Sequence, residues 1–119
     1  MIVEDNPVNL KLTSDLLELE GFEVSRCQDA EIALRTLEQF HPDLILMDVA
    51  LPGMDGLTLT RRLKSQPQTR HIKIIALTAF AMKSDKEKTF DAGCDGYITK
   101  PIDTRKFIEQ INSYLTSST

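Results

Sequence analysis

Three carboxylates in this chain directly follow apolar runs that have the length of a β-strand. Glu4 and Asp5 come after residues 1–3, and Asp48 comes after residues 44–47. In an open parallel α/β sheet the carboxyl ends of the strands share one edge, where ligands bind. Mg²⁺ prefers carboxylate oxygens, and carboxylates held close together repel each other unless a cation lies among them. Glu4 and Asp5 alone are better explained as solvated helix caps, but together with Asp48 they predict a magnesium site.

A hydroxyl and an ammonium group follow two further apolar runs. Thr78 ends the run at residues 74–77, and Lys100 follows residues 97–99. Both groups can contact a phosphoryl group, whose transfer depends on positioning and charge neutralisation. Asp48 is the residue that we expect to be phosphorylated, because carboxylates can form aspartyl phosphates. Each residue alone has an ordinary explanation, as a surface lysine, a helix cap or a strand end; their joint placement favours the phosphoryl site.

The segment after Asp48 leaves the predicted strand and turns twice, at two pairs that end in glycine (residues 52–53 and 55–56). Backbone carbonyls in such a loop can reach a metal, and Ala50 suits this role because its side chain offers no ligand. Tyr97 stands three residues before Lys100. It is either plain core or an aromatic side chain whose rotamer depends on Thr78, and the residues leave both interpretations open.

The elements that must position these residues alternate between strand-length apolar runs and amphipathic helix-length segments. This alternation is typical of βα units and a parallel sheet. The predicted strands are residues 1–3, 23–27, 44–47, 73–77 and 96–99. The predicted helices run from Pro7 to an end at Gly21, from a cap at Asp29 to an end just before Pro42, from Gly56 to an end at Pro67, over residues 82–92 and over residues 104–115. The first helix should face the core with an apolar stripe of Val8, Leu12, Leu16 and Leu19.

Length and composition predict a single domain over residues 1–119 that works in the cytoplasm. The net charge of −4 lacks the basic footprint of a nucleic-acid-binding protein. No apolar run reaches the roughly 20 residues that span a membrane, and the two cysteines lack metal-ligand spacing. The first strand has only three residues where about five or six are usual, so we expect that the natural chain begins a few residues earlier. Residues 116–119 are expected to form a polar tail.

Together these motifs resemble the response regulator receiver domains of two-component systems over essentially the whole chain. The matching segments are Val3-Glu4-Asp5-Asn6, residues 43–48, Leu51-Pro52, Asp55-Gly56, Leu77-Thr78-Ala79 and Lys100-Pro101. Residues 78–83 and Gly93-Cys94 are most similar to single-domain DivK-type regulators and to receivers attached to hybrid kinases. The resemblance implies a flavodoxin-like (βα)5 fold, a doubly wound parallel α/β sheet with strand order 2-1-3-4-5.

The resemblance also implies a phosphorelay role. Asp48 would take a phosphoryl group from a histidine kinase or a histidine phosphotransfer protein. Mg²⁺, with Mn²⁺ as a substitute, would be bound by Asp5, Asp48 and the backbone carbonyl of Ala50, with Glu4 acting mainly through water.

The resemblance further assigns the switch and the output surface. Thr78 and Lys100 would contact the phosphoryl group, Tyr97 would be the switch aromatic residue, and the bond between Lys100 and Pro101 would be cis. A downstream protein would bind the fourth helix, fifth strand and fifth helix of a monomer or weak dimer, with no direct contact to nucleic acid or membrane.

Two alternative functions are compatible with parts of the pattern. An enzyme with an aspartyl nucleophile often carries a second acid two residues later, but Ala50 occupies that position. A flavin-binding module needs a phosphate-binding loop after the first strand, where Glu4 and Asp5 would repel phosphate in the absence of a metal. We therefore expect no enzymatic activity beyond the domain's own phosphorylation and dephosphorylation.

Overall fold

Five strands and five helices alternate along residues 1–79 and 82–116, which are the residues described in this computed structural model. The strands are β1 (Ile2–Val3), β2 (Arg26–Cys27), β3 (Leu44–Asp48), β4 (Lys73–Thr78) and β5 (Gly96–Thr99). The helices are α1 (Pro7–Leu19), α2 (Ala30–Thr36), α3 (Gly56–Lys64), α4 (Lys83–Asp91) and α5 (Phe107–Thr116). Phe80 and Ala81 of the matched segment 78–83, and residues 117–119 of the predicted tail, lie outside the described residues. No described helix has the length and apolar character needed to cross a membrane.

The strands form one parallel sheet in the order β2-β1-β3-β4-β5, which confirms the predicted fold class and strand order. Ile2 pairs with Leu46 and Val3 with Met47, so the residues that follow β1 lie level with the end of β3. The strand order reverses between β1 and β3, and such a reversal opens a crevice at the carboxyl ends of the strands.

Apolar side chains cover both faces of the sheet. Along β3, Ile45 and Met47 pack into one core cluster with Leu59 of α3, while Leu46 packs into the other with Phe107 of α5. All five side chains are fully buried. Full burial of such a side chain contributes roughly 1.5–3 kcal/mol, so the two clusters provide a rigid base for the strand ends.

Side-chain caps fix the starts of three helices. Asn6 accepts hydrogen bonds from two backbone amides at the start of α1. Asp29 caps α2 as predicted, and Asp55 caps α3. Since α1 and α3 begin a few residues after β1 and β3, both helices start close to the carboxyl edge of the sheet.

The predicted core stripe of α1 is wrong at Val8, Leu12 and Leu19, and of its four residues only Leu16 packs against the core. Val8 is 73 % exposed, Leu12 39 % and Leu19 83 %, and Leu16 is only partly buried. The buried face instead carries Leu10, Thr13, Ser14 and Leu17. The hydroxyls of Thr13 and Ser14 donate to carbonyls of the preceding helical turn, which satisfies these polar groups inside the core. Hydrophobic periodicity alone therefore selected the solvent side of this helix.

Three predicted boundaries also differ from the structure. The second strand was predicted over residues 23–27, but β2 has two residues because β1 pairs with it at only two positions. α2 ends at Thr36, and turns follow before Pro42. α5 begins at Phe107 and not at Thr104, because Asp103 accepts a hydrogen bond from the amide of Arg105 in a preceding turn.

Gly56 allows α3 to approach the end of β3. A Cβ atom at this position would lie 2.2 Å from the carbonyl oxygen of Asp48. No ordinary contact is that short, so any larger residue must push α3 or the end of β3 aside. The lack of a side chain at Gly56 is thus a packing requirement of the strand end that carries Asp48.

We expect Gly56→Ala to lower the free energy of unfolding by about 2–3 kcal/mol, because overpacking against main chain is relieved only by backbone shifts. Gly21→Ala is the matched control. Its Cβ would meet no atom within 4 Å, and only the φ of +91° opposes the substitution, which costs about 1 kcal/mol. Urea unfolding of both variants checks this expectation, and equal losses would contradict it.

Candidate functional site

Asp48 lies at the carboxyl end of β3 with its side chain almost fully buried. Its Oδ1 atom accepts a hydrogen bond of 3.0 Å from the backbone amide of Ala50. The Nζ atom of Lys100 lies 3.4 Å from the same oxygen. A buried carboxylate requires such partners, because removing an ionised group from water is costly.

Glu4 is fully buried beside Asp48. Its Oε1 atom lies 3.0 Å from Nζ of Lys100, an ion pair shorter than the one between Lys100 and Asp48. Neither carboxylate oxygen of Glu4 has a hydrogen-bond partner within the described part of the chain. Glu4 therefore offers two buried oxygens whose bonding capacity is incompletely used.

Asp5 completes an acidic cluster. Glu4, Asp5 and Asp48 each place one carboxylate oxygen within 4.8 Å of the others. Asp5 is exposed, whereas the other two are buried, so the cluster opens to solvent on one side. Three carboxylates at this spacing, together with the incompletely bonded oxygens of Glu4, fit a hard divalent cation that retains several waters.

Because these groups are packed closely together, the two buried carboxyl groups of Glu4 and Asp48 have different pKa values. Burial raises the pKa of Glu4 to about 7, and the interaction with Asp48 raises it while Lys100 lowers it. Burial also raises the pKa of Asp48, but the close contact with Glu4, the hydrogen bond from the amide of Ala50 and the charge of Lys100 outweigh burial, so its pKa is lowered. As the pH falls, Glu4 therefore takes up a proton before Asp48 does, and Asp48 keeps its negative charge over a wider pH range.

Lys100 keeps its charge next to these carboxylates. Burial lowers its pKa, but Glu4 and Asp48 outweigh that effect and raise the pKa above the usual value. Its backbone amide donates a hydrogen bond of 2.7 Å to the carbonyl of Thr78. The peptide bond between Lys100 and Pro101 is cis. The ammonium group therefore extends from a loop tied to the end of β4.

The structure divides the predicted site residues into two groups. Glu4, Asp5, Asp48 and Lys100 form one cluster, and Ala50 adjoins it through its amide. The other two residues lie on neighbouring strands. Thr78 is buried at the end of β4, while Tyr97 pairs with Ala76 two positions earlier and packs against α4.

Two residues that help to position the site, Gly56 and Tyr114, were not predicted from the sequence. The close approach at Gly56 depends on the distance between α3 and β3, and the only local sign of it is the Asp55-Gly56 pair. Tyr114 of α5 donates a hydrogen bond to the carbonyl of Tyr97. No sequence pattern indicates that contact, because it joins residues of two elements through a side chain and a backbone atom.

A doubly wound sheet with an acidic cluster, a hydroxyl and a lysine at its carboxyl edge defines a receiver domain. The sequence profile described as "Response regulator receiver domain" matches residues 1–112, and the chain belongs to that family. It is a DivK-like receiver domain of the two-component phosphorelay type. The polar-differentiation response regulator DivK of Brucella ovis is 51% identical over 115 residues, which cover 97% of this chain and 94% of that protein.

Solved structures of receiver domains have the same fold. The receiver domain of a sensor histidine kinase from Pseudomonas aeruginosa, solved with a magnesium ion coordinated in its active-site cleft, is 36% identical with a TM-score of 0.87 and covers 98% of this chain and 95% of that one. A putative response regulator from Chloroflexus aurantiacus is 33% identical with a TM-score of 0.91 and the same coverage of 98% and 95%.

The raised pKa of Glu4 predicts an unusual pH dependence in EDTA. The pKa is about 7 in the folded protein against an ordinary value of 4.5. The folded state therefore holds one more proton than the unfolded state between these values, and its stability falls as the pH rises through this window. Glu4→Gln should remove about 2–3 kcal/mol of the difference in unfolding free energy between pH 5 and pH 8.

Urea unfolding at pH 5 and pH 8 measures the effect. Glu31→Gln, which alters an exposed glutamate of α2, is the control and should keep the wild-type difference. A Glu4→Gln protein with the wild-type pH dependence would show that Glu4 does not hold the proton.

Proposed function

We propose that Asp48 accepts a phosphoryl group from a phosphohistidine of a histidine kinase or a histidine phosphotransfer protein. The observation that carries this proposal is the convergence of three carboxylates within 4.8 Å, with Lys100 in contact with two of them. Asp48 is the member of the cluster with a lowered pKa, so it is ionised and able to act as a nucleophile.

Mg²⁺ fits the acidic cluster, with Mn²⁺ as a substitute. Asp5, Asp48 and the carbonyl of Ala50 would bind the ion, and Glu4 would act through a bound water. In the part of the chain that the structure describes, the two buried oxygens of Glu4 have no hydrogen-bond partner, which supports this assignment because a hydrated cation would satisfy them. When bound, Mg²⁺ supplies charge neutralisation for the transferring group. The related Pseudomonas receiver, which carries a magnesium ion in its cleft, adds support.

In the transfer step, the bond between phosphorus and the donor imidazole nitrogen breaks, and a bond forms between phosphorus and a carboxylate oxygen of Asp48. Lys100 then exchanges its contacts with Glu4 and Asp48 for a phosphoryl oxygen. The hydroxyl of Thr78 donates a hydrogen bond to another phosphoryl oxygen. Hydrolysis returns the carboxylate and releases inorganic phosphate. Turnover of a small substrate is not part of this proposal, because Ala50 stands where a second acid would be needed.

The exposed side of α1 suits a donor protein. Val8 and Leu12 are large apolar side chains with exposed fractions of 73 % and 39 %. Leu12 lines a depression next to the acidic cluster together with Asn9, Glu4 and Lys100. A histidine that enters this depression from a docked helix would approach Asp48 from the solvent side.

Output would proceed through α4, β5 and α5 to a downstream protein. Inward movement of Thr78 towards the phosphoryl group would make room for the ring of Tyr97 to turn. Met82 and Phe90 on this surface are 73 % and 48 % exposed, which suits a protein partner rather than nucleic acid or a membrane. The domain would act as a monomer or weak dimer. A cytoplasmic location belongs to the proposal, since both cysteines are unpaired thiols.

Treatment with acetyl phosphate and Mg²⁺ should add one phosphoryl group to the wild-type protein and none to Asp48→Asn. Asp55→Asn is the matched control, because asparagine also caps a helix and this residue lies outside the acidic cluster. Intact mass spectrometry followed by peptide mapping locates the adduct. An acid-labile phosphoryl group on the Asp48→Asn protein would refute the assignment.

Asp5→Asn should weaken Mg²⁺ binding by about tenfold or more, because it removes one anionic ligand from a site that keeps several waters. Asp15→Asn alters another exposed carboxylate in the same part of the chain and should leave the affinity unchanged. Titration of Mg²⁺ followed by NMR amide shifts gives both dissociation constants. Unchanged affinity of the Asp5→Asn protein would place the metal elsewhere.

A further inference from the structure

Two side chains of α4 contact the ring of Tyr97. The ring of Phe90 meets it edge-to-face, with centroids 6.0 Å apart and planes at 78°. The Nζ atom of Lys86 lies 4.9 Å from the ring centroid, within the range of a cation–π interaction. Lys86 and Phe90 are four residues apart and thus lie on the same face of α4. The side chain of Tyr97 therefore packs against α4.

The main chain at Tyr97 is hydrogen-bonded to α5. The hydroxyl of Tyr114 donates a hydrogen bond of 3.2 Å to the carbonyl of Tyr97. The ring of Tyr114 covers Gly96, where a Cβ atom would lie 2.3 Å from a ring carbon. The ammonium group of Lys73 donates a hydrogen bond of 2.6 Å to the carbonyl of Tyr114, near the C-terminal end of α5. These contacts connect α5 to both β4 and β5.

The contacts of Tyr97 with α4 and the hydrogen bond from α5 respond differently to a rotation of the Tyr97 ring. Rotation removes the contacts with Lys86 and Phe90, because both depend on where the ring lies. The hydrogen bond from Tyr114 ends on a backbone atom, which stays in place when the side chain turns. A contact made in only one of two states biases the equilibrium between them, whereas a contact made equally in both does not.

We propose that Lys86 and Phe90 are positioning residues that hold Tyr97 in the unphosphorylated position, and that Tyr114 keeps α5 in place, so that phosphorylation releases α4 alone. This inference rests on the proposed function, since it concerns the response to a phosphoryl group at Asp48. Within the output surface, α4 is then the half that changes and α5 is the half that stays fixed.

The first test measures whether the α4 contacts oppose activation. Beryllofluoride with Mg²⁺ serves as the phosphoryl mimic, and amide shifts around Asp48 give its apparent affinity. Loss of this partly buried cation–π contact should raise that affinity about two- to fivefold in Lys86→Met. Lys86→Arg keeps a cation over the ring and should restore the wild-type value. Lys88→Met, on the exposed side of the same helix, should match wild type. An affinity of Lys86→Met equal to or below wild type would overturn the proposal.

The second test measures which helix responds. In the wild-type protein, beryllofluoride should change amide shifts and hydrogen exchange in residues 83–91 but leave residues 107–116 unchanged. Tyr114→Phe retains the ring over Gly96 and removes only the hydroxyl. Its affinity for beryllofluoride should stay at the wild-type value, while the changes extend into α5. Equal responses of both helices in the wild-type protein, or a Tyr114→Phe protein identical to wild type, would overturn the role of Tyr114.

A measurement without any ligand separates this inference from the proposed function. The side-chain protons of Lys86 should show a ring-current shift that disappears in Tyr97→Leu; its absence would refute the contact itself. If wild type shows the shift but fails to bind beryllofluoride at Asp48, the proposed function fails and the inference falls with it. If beryllofluoride binds normally and the Lys86 variants do not differ, only the role of α4 is refuted.

Discussion

The ammonium group of Lys100, between two buried carboxyl groups, is the interaction on which the rest of the site depends. Glu4 and Asp48 are both withdrawn from water, and together they carry more negative charge than a protein interior tolerates without compensation. The ammonium group of Lys100, at 3.0 Å from Glu4 and 3.4 Å from Asp48, offsets part of this charge, and the pKa of Glu4 is raised to about 7. The charge balance of the cluster therefore depends on Lys100, and any change at one of the three groups alters the electrostatic environment of the other two.

The sheet makes this arrangement possible because its strands end at the same level. Val3 pairs with Met47, so the carboxyl groups that follow β1 and end β3 lie side by side. Helices on both faces keep water away from the strands, and the loop around Gly56 brings the main chain of α3 against that of Asp48. A charged cluster can be buried here because the surrounding backbone cannot relax away from it.

Much of this architecture could be predicted because its signals are local. Long apolar runs at β3 and β4 and caps at Asn6 and Asp29 establish the order of the elements, and the strand order follows from the family resemblance. The face of α1 could not be predicted, because Thr13 and Ser14 satisfy their hydroxyls within the helix and then pack as small core residues. The length of β2 depends on its partner strand. The roles of the site residues remain predictions, since geometry shows proximity and not reactivity.

Val8, Leu12 and Leu19 point outward, so selection for the surface of α1 and selection for its stability act on different residues of the same helix. These side chains add little to the core, so their replacement changes the exposed surface of α1 without much effect on folding. Leu10 and Leu17 on the opposite side carry the stability of the helix. Duplicated copies of such a domain can therefore diverge in partner choice while they retain one fold, which is how a cell can keep many parallel signalling routes insulated from each other.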